Sequence, residues 1–300
     1  MPLTRRAAVA SLLSAATLAS AAPALAKPWI LHPEAFLDPE PLPEQQLLLP
    51  DPQLPTWRRN AVPVALGDPR PKIAVVIDDL GAMHPHTERA LALPAPLTLS
   101  WFPFAPDLPE QILAGASRGH EAMLHMPMQS FSNSTAQTGP DPLRIDLPPA
   151  VNTARLTAAF AAVTNIVGLN NHMGSVATRD VALMDIMARE TKARDMLFLD
   201  SVTIPHSVAL ARAEVAGVPA AARDVFIDHM ADPAVIRGQL AEIESFARHY
   251  GYVIAIGHPR PHTLDALELW LPTLAAKGFV LWPISATVAL RNRIDLTSRA

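Results

Sequence analysis

Lys72-Ile73-Ala74-Val75-Val76-Ile77-Asp78-Asp79-Leu80-Gly81 decides how the rest of the chain is read. Ile73 to Ile77 is an unbroken apolar run rich in β-branched residues, which suits a short, fully buried strand better than a helix. Two adjacent carboxylates end it, and Gly81 lets the chain turn. Neighbours on a strand point to opposite faces. At the strand's end the twist relaxes this, so Asp78 and Asp79 can reach one cavity from different directions. Two like charges at the end of a buried strand are costly unless something positive sits there, and a metal ion is the obvious candidate. Taken alone, these ten residues fit equally well a strand followed by an Asx-type turn, with one aspartate capping the next helix.

Composition narrows the classes. Half of the 300 residues are apolar, enough for a sizeable core. A formal charge of -4 with few aromatics excludes a strongly basic nucleic-acid binder and a dense base-stacking surface, so no nucleic acid is expected as a partner. No stretch reaches the roughly 18 apolar residues of a membrane span, so none is expected in the mature chain. Residues 1–26 read as an export signal: Arg5 and Arg6 form the charged head, Ala7 to Ala22 the apolar segment, and Ala24-Leu25-Ala26 the small-x-small cleavage site. Thr4-Arg5-Arg6 fits twin-arginine export and ordinary Sec export alike. The expected location is the periplasm or cell envelope. With no cysteine in the chain, no disulfide is used there. Residues 27–71 hold eleven prolines and no helical or strand period, which reads as a linker or a strap along the domain surface. Leu47-Leu48-Leu49 is the part most able to adhere to it. One domain is expected over 72–288, followed by a polar tail at 289–300.

After the first strand, strand-like runs recur at Leu97–Phe102, Glu121–His125, Val167–Asn170, Leu197–Asp200, Asp224–Ile227, Tyr252–Gly257 and Val280–Trp282. Helical patterns lie between them. Asn152 is placed to cap one, with Leu156, Phe160 and Val163 on a single face. Asp232-Pro233 starts another in cap-then-proline order. The alternation repeats about seven times, which makes the class α/β with a mainly parallel sheet.

Polar residues gather at one kind of place. Asp78-Asp79, His125, Asn170-Asn171-His172, Asp200, Asp228-His229 and His258 all fall at strand ends. In a β/α barrel those ends share one face, where chemistry is built. An open doubly wound sheet would spread them along a line, and no glycine-rich dinucleotide fingerprint follows the first strand to support it. The expected fold is a distorted (β/α) barrel. Asp228 and His229 read as turn or rim residues, and His120 as a surface or loop histidine.

Five short motifs in order, Ile77-Asp78-Asp79-Leu80-Gly81, Gly119-His120-Glu121 to His125-Met126-Pro127-Met128, Asn170-Asn171-His172-Met173-Gly174-Ser175, Phe198-Leu199-Asp200-Ser201 and Ile254-Ala255-Ile256-Gly257-His258-Pro259, resemble the divergent polysaccharide deacetylase family. The resemblance covers about 72 to 285. It implies a barrel distantly related to the metal-dependent polysaccharide N-deacetylases, with Asp78 as base, Asp79 and His125 as metal ligands and His258 as acid. Where those enzymes carry a second histidine four residues after the first, this chain has Gln129, and His172 offers an imidazole in its place. Where the divergent family often has another histidine after the last proline, this chain has Arg260.

The residue types suit amide hydrolysis. One carboxylate and two imidazoles can hold zinc or another divalent metal with a position left for water. Asp78 would take a proton from that water and His258 would give one to the leaving amine. Asp200 is expected to orient His258 or another ring. Asn171, Trp101 and Phe102 are candidates for contact with the sugar, core packing being the competing account for the aromatics. The implied partner is an N-acetylated polysaccharide or fragment. The rival readings are a catalytically lapsed envelope protein that binds glycan or protein, favoured by Gln129, and a metal-dependent acetyl esterase. No protein partner is indicated.

Overall fold

The apolar run forms the middle of strand β1 (Lys72–Leu80), buried along its length after Lys72. The computed structural model describes residues 53–297, apart from 83–84 and 133–134. The export signal and Leu47-Leu48-Leu49 lie outside the described residues. The remaining strands are β2 (Thr98–Trp101), β3 (Glu121–Met128), β4 (Gly168–Met173), β5 (Leu197–Asp200), β6 (Ala220–Ala222), β7 (Val225–Phe226), β8 (Tyr252–Gly257) and β9 (Val280–Leu281). Every ladder is parallel. The order is β6-β5-β4-β3-β2-β1-β8-β7, with β9 beside the start of β1.

The two end strands, β6 and β7, are separated by only Arg223 and Asp224, yet no ladder joins them. The sheet therefore curls into a (β/α) barrel left open at one seam, the distorted barrel expected. Sequence reading missed β6, because three alanines carry no β-branched or aromatic signal.

Strand parity sorts the side chains into two layers. Ile73, Val75, Ile77, Leu99, Leu124, Leu169, Phe198 and Val253 pack outward under the helices. Ala74, Val76, Met123, Leu197, Leu199, Ile254 and Ile256 fill the interior, with Trp57, Trp282 and Ile284 closing its lower end. The interior residues continue upward at period two to Asp78, His125, Asn170 and His258. Position in the pleat, rather than loop chance, brings these polar groups together. Trp101 and Phe198 have the opposite parity and are lost to the outer core.

At the lower end, Glu121 is 1% exposed. It accepts hydrogen bonds from Ser285 N at 2.9 Å, Ser285 Oγ, Val62 N at 3.2 Å and Thr98 Oγ1 at 3.4 Å. One carboxylate thus ties together β2, β3, the helix Ile284–Arg291 and the segment before β1. That segment, 53–71, packs as a strap: Leu54, Trp57 and Val64 are buried, and Asn60 Nδ2 donates to Ile166 O at 2.8 Å. It also holds a helical turn, Thr56–Arg59. At the other terminus, the expected polar tail begins inside a helix, and Leu296 is buried with its carbonyl accepting from Arg58.

Two local readings need correction. The helix Pro149–Ala162 begins before Asn152, whose side chain holds the preceding loop at Arg144 N, Arg144 O and Leu147 O instead of capping. Prolines at 148 and 149 start the helix earlier. His120 is buried, accepting from Leu97 N and facing Leu91 O, so it is a structural ring and not a surface one. Asp232 caps the helix Pro233–Tyr250 as expected, accepting from Ala234 N and Val235 N. Among the described residues no helix is long and apolar enough to cross a membrane.

Each Glu121 oxygen accepts from one backbone N–H and one hydroxyl. Glu121→Gln points an amide NH₂ at one of those N–H groups and should cost about 1–3 kcal/mol. Urea denaturation should show the loss, with metal content unchanged because the residue lies at the far end of the barrel. Unaltered stability would contradict the role assigned to it.

Candidate metal centre

Both aspartates at the end of β1 reach the interior, and the cause is a bulge. Ile77 pairs with Leu99 but Leu80 pairs with Trp101, so β1 carries one residue more than its partner between these points. Asp79 absorbs it in the left-handed region, with φ of 62°. Aspartate tolerates that conformation better than most residues. Gly81 follows with φ of 89°, and a Cβ there would stand 2.5 Å from the Cβ of Ala105. The expectation that relaxed twist would bring both carboxylates inward therefore gives way to a local backbone device.

Asp79 Oδ1 lies 3.1 Å from His125 Nε2 and 3.0 Å from His172 Nδ1, and the two ring nitrogens are 3.2 Å apart. All three residues are buried. His125 comes from β3, and His172 from β4, where Pro127 and His172 are paired across the ladder. Gln129 stays out of the cluster: its Oε1 accepts from Ile145 N at 2.9 Å and its carbonyl from Val176 N and Ala177 N. That position is a loop clasp, and His172 supplies the third donor from the neighbouring strand.

The outer nitrogens of both rings face carbonyl oxygens. His125 Nδ1 is 2.8 Å from Asn170 Oδ1, and His172 Nε2 is 2.8 Å from Gln137 O. Each carbonyl accepts an N–H, which fixes the tautomer and leaves a lone pair on the inner nitrogen. Asn170 does more. Its Nδ2 donates to Asp78 Oδ1 at 2.7 Å, and its Oδ1 also accepts from Ser100 Oγ at 2.7 Å. Phe102 backs the rings, with centroids 5.2 Å from His125 and 4.8 Å from His172.

On the other side, His258 Nε2 is 3.8 Å from Asp79 Oδ2, while its Nδ1 donates to Asp228 Oδ1 at 2.8 Å. Asp228 Oδ2 accepts from His258 N and Thr263 Oγ1. Burial pushes the Asp228 carboxyl up, but His258, Thr263 and Arg260 outweigh it and hold it below the usual carboxylate range. For Asp78, burial dominates and raises it against His125, His258 and Asn170. Burial pulls His125 down, yet Asp78, Asp79 and Asn170 bring it up to about 9. His258 is raised in the same way, mainly by Asp228 against burial. These shifts share one cause. Two buried carboxylates draw protons onto the imidazoles beside them, a compensating charge that a divalent cation can supply instead.

The donor set fits such a cation. In a tetrahedral site with bonds near 2.0–2.1 Å the ligand atoms stand roughly 3.4 Å apart, close to the spacings among Asp79, His125 and His172. One carboxylate oxygen and two imidazole nitrogens suit zinc and its neighbours.

Not every sequence candidate reaches the centre. Asp200 accepts from Val202 N at 2.8 Å and Ser207 Oγ at 2.6 Å and shapes its own loop; the ring of His258 is oriented instead by Asp228, the expected turn or rim residue. Trp101 is in the outer core, with Gly115 of the helix Leu108–Ser117 packed against its ring and Nε1 donating to Gln111. Phe102 is fully buried behind the histidines, so it faces their rings and not the groove. Asn171 is buried too, donating to Met173 O and accepting from Ser201 N. Asn170, which shares a strand face with His172, was the informative asparagine. A groove of about 870 Å³ opens over the centre, lined by Asp79, His172 and His258 with Phe104, Phe226 and Arg260 among others.

A family profile described as divergent polysaccharide deacetylase matches residues 75–288. A Haemophilus influenzae protein is 34% identical over 203 residues, 68% of this chain and 72% of its own length. The Escherichia coli K12 protein YibQ is 34% identical over 219 residues, 71% of this chain and 68% of its own. The crystal structure of the Agrobacterium tumefaciens C58 protein ATU2773 superposes with a TM-score of 0.75 at 25% identity, covering 81% of this chain and 99% of that one.

Asn170→Leu removes the carbonyl behind His125 and the donor to Asp78. Zinc affinity, measured by competition with a chromogenic chelator, should fall about 10–100-fold. An affinity equal to wild type would show that the asparagine has no hold on the ligand.

Proposed function

The chain belongs to the divergent polysaccharide deacetylase family, and on that premise we propose that it is an exported hydrolase that removes acetyl groups from an N-acetylated polysaccharide or oligosaccharide. Its metal, zinc in the first instance, would be held by Asp79, His125 and His172. The observation that carries the reading is the convergence of these three donors between a buried carboxylate, Asp78, and a carboxylate-backed imidazole, His258. Export and a periplasmic location rest on the character of residues 1–26.

A bound divalent metal would supply Lewis acidity, lowering the pKa of water and polarising the acetyl carbonyl. The remaining steps belong to side chains. Asp78 Oδ1 is engaged by Asn170, which leaves Oδ2 to accept the proton of the attacking water. Water oxygen bonds to the acetyl carbon as the C–N bond breaks. His258 Nδ1 is occupied by Asp228, so Nε2 is the nitrogen that gives its proton to the departing amine. The products are acetate and a free amino sugar. Phe102 and the buried walls behind the rings keep bulk water from the ligand side.

Gln129 is the feature that favoured a lapsed binding protein. Against that reading stand the position of His172 Nδ1, 3.0 Å from Asp79 Oδ1 where a further ligand would be needed, and the separate task of Gln129 in holding a loop. An ester and an amide make the same demands on Asp78, and only the amide needs its poor leaving group protonated as it departs. The His258–Asp228 pair, in which the carboxylate keeps a proton on the imidazole, favours the amide for that reason.

The test is acetate release from N-acetylglucosamine oligomers and from O-acetylated xylan by zinc-loaded protein. Asp78→Asn and His258→Gln should each lower kcat on the amide about 10²–10⁴-fold with metal content retained. Release from the ester alone, or from neither substrate, would overturn the proposal.

A further inference from the structure

Beside the Asp79–His125–His172 cluster and His258, the groove carries one further charged side chain among the described residues, Arg260. Its lining is otherwise neutral, with Ser130, Gln137, Ser175 and Thr203 as polar examples. Asp79 is the one carboxylate residue among the lining, and it belongs to the ligand set.

Arg260 has a carboxylate close by that pairs with it only at the limit of ion-pair distance. Asp228 spends Oδ1 on His258 Nδ1 and Oδ2 on His258 N and Thr263 Oγ1. The guanidinium reaches the Asp228 backbone carbonyl instead, Nη1 donating at 2.7 Å, and stands 4.0 Å from Oδ1. One nitrogen thus anchors the group against the wall. Its side chain is 35% exposed, and Nε and Nη2 make no hydrogen bond with the described residues. Elsewhere on this protein arginines at comparable exposure sit on carboxylates: Arg89 on Asp265 and Glu268, Arg212 on Asp185, Arg144 on Asp146. A guanidinium anchored by one corner, lining a groove beside His258 and the candidate metal cluster, with donors to spare, is a fork for a planar anion.

The geometry points to an acidic substrate: an N-acetylated glycan that carries a carboxylate on the residue being deacetylated or on its immediate neighbour, held by Arg260. This rests on the deacetylase reading and narrows its substrate class. Arg260 is a specificity residue here. It gives and takes no proton in the steps assigned to Asp78 and His258.

Binding separates the two ideas, since it needs no turnover. Calorimetry on the zinc-loaded full chain would compare two tetrasaccharides. One is neutral, four N-acetylglucosamines; the other alternates N-acetylglucosamine with glucuronic acid. Wild type should bind the acidic tetramer about tenfold more tightly, with a preference that shrinks as salt rises from roughly 50 to 300 mM. Arg260→Gln should erase the preference while leaving the neutral tetramer's affinity within about twofold, and Arg260→Lys should keep part of it. Equal affinities in wild type, binding of neither tetramer, or equal losses on both in Arg260→Gln would overturn the inference. Acetate release from the neutral tetramer reports on the deacetylase reading independently, so either can fail while the other stands.

Discussion

Two carboxylates on consecutive residues, both buried at the end of the central strand, set the terms for the rest of this structure. An ionised carboxylate taken out of water costs several kcal/mol unless it is paired. Here Asp78 and Asp79 are 2% and 6% exposed. Their neighbours divide the work. Asn170 donates to Asp78, two imidazoles converge on one oxygen of Asp79, and His258 approaches the other. Even the backbone is arranged around the pair, since the β1 bulge and the left-handed Asp79 exist where both side chains must enter one cavity. Such a cluster is hard to justify as a stability device and easy to justify as a cation site.

The barrel keeps this cluster apart from what holds it together. The middle layer of the interior is apolar, with Val76, Met123, Leu199 and Ile256 between the two ends. Below it Glu121 gathers the strap, β2 and the C-terminal helix. Above it the same strand faces end in the buried aspartate and histidine cluster. β3 shows this within one element: Glu121 at the lower end, Met123 in the packed layer, His125 at the centre.

Much of this was legible from sequence because period two is a strong constraint. The apolar run before Asp78, the strand-end histidines and the order of elements located the barrel and the face where polar groups gather, and the three residues that converge there, Asp79, His125 and His172, could be named one by one. What escaped depended on parity counted across strands. Trp101 sits beside Ser100, and a shift of one residue sends it to the outer core instead of the groove. Asn170 and Asn171 differ in the same way, one bridging Asp78 and His125, the other closing a turn. Asp200 and Asp228 both follow strands, and nothing local distinguishes the aspartate that bonds an imidazole from the one that bonds its own loop. That choice is made by which strand β8 lies against, and β7 is its neighbour. The alanine strand β6 gave no signal, and the β1 bulge is a property of pairing that one strand alone does not display.

Anomalous diffraction at the zinc edge, from crystals of the full chain grown with zinc, tests the central claim most directly. The account predicts one strong peak within bonding distance of an Asp79 carboxylate oxygen, Nε2 of His125 and Nδ1 of His172, with Gln129 remote from it. A peak ligated by other residues, or none after zinc loading, would contradict it.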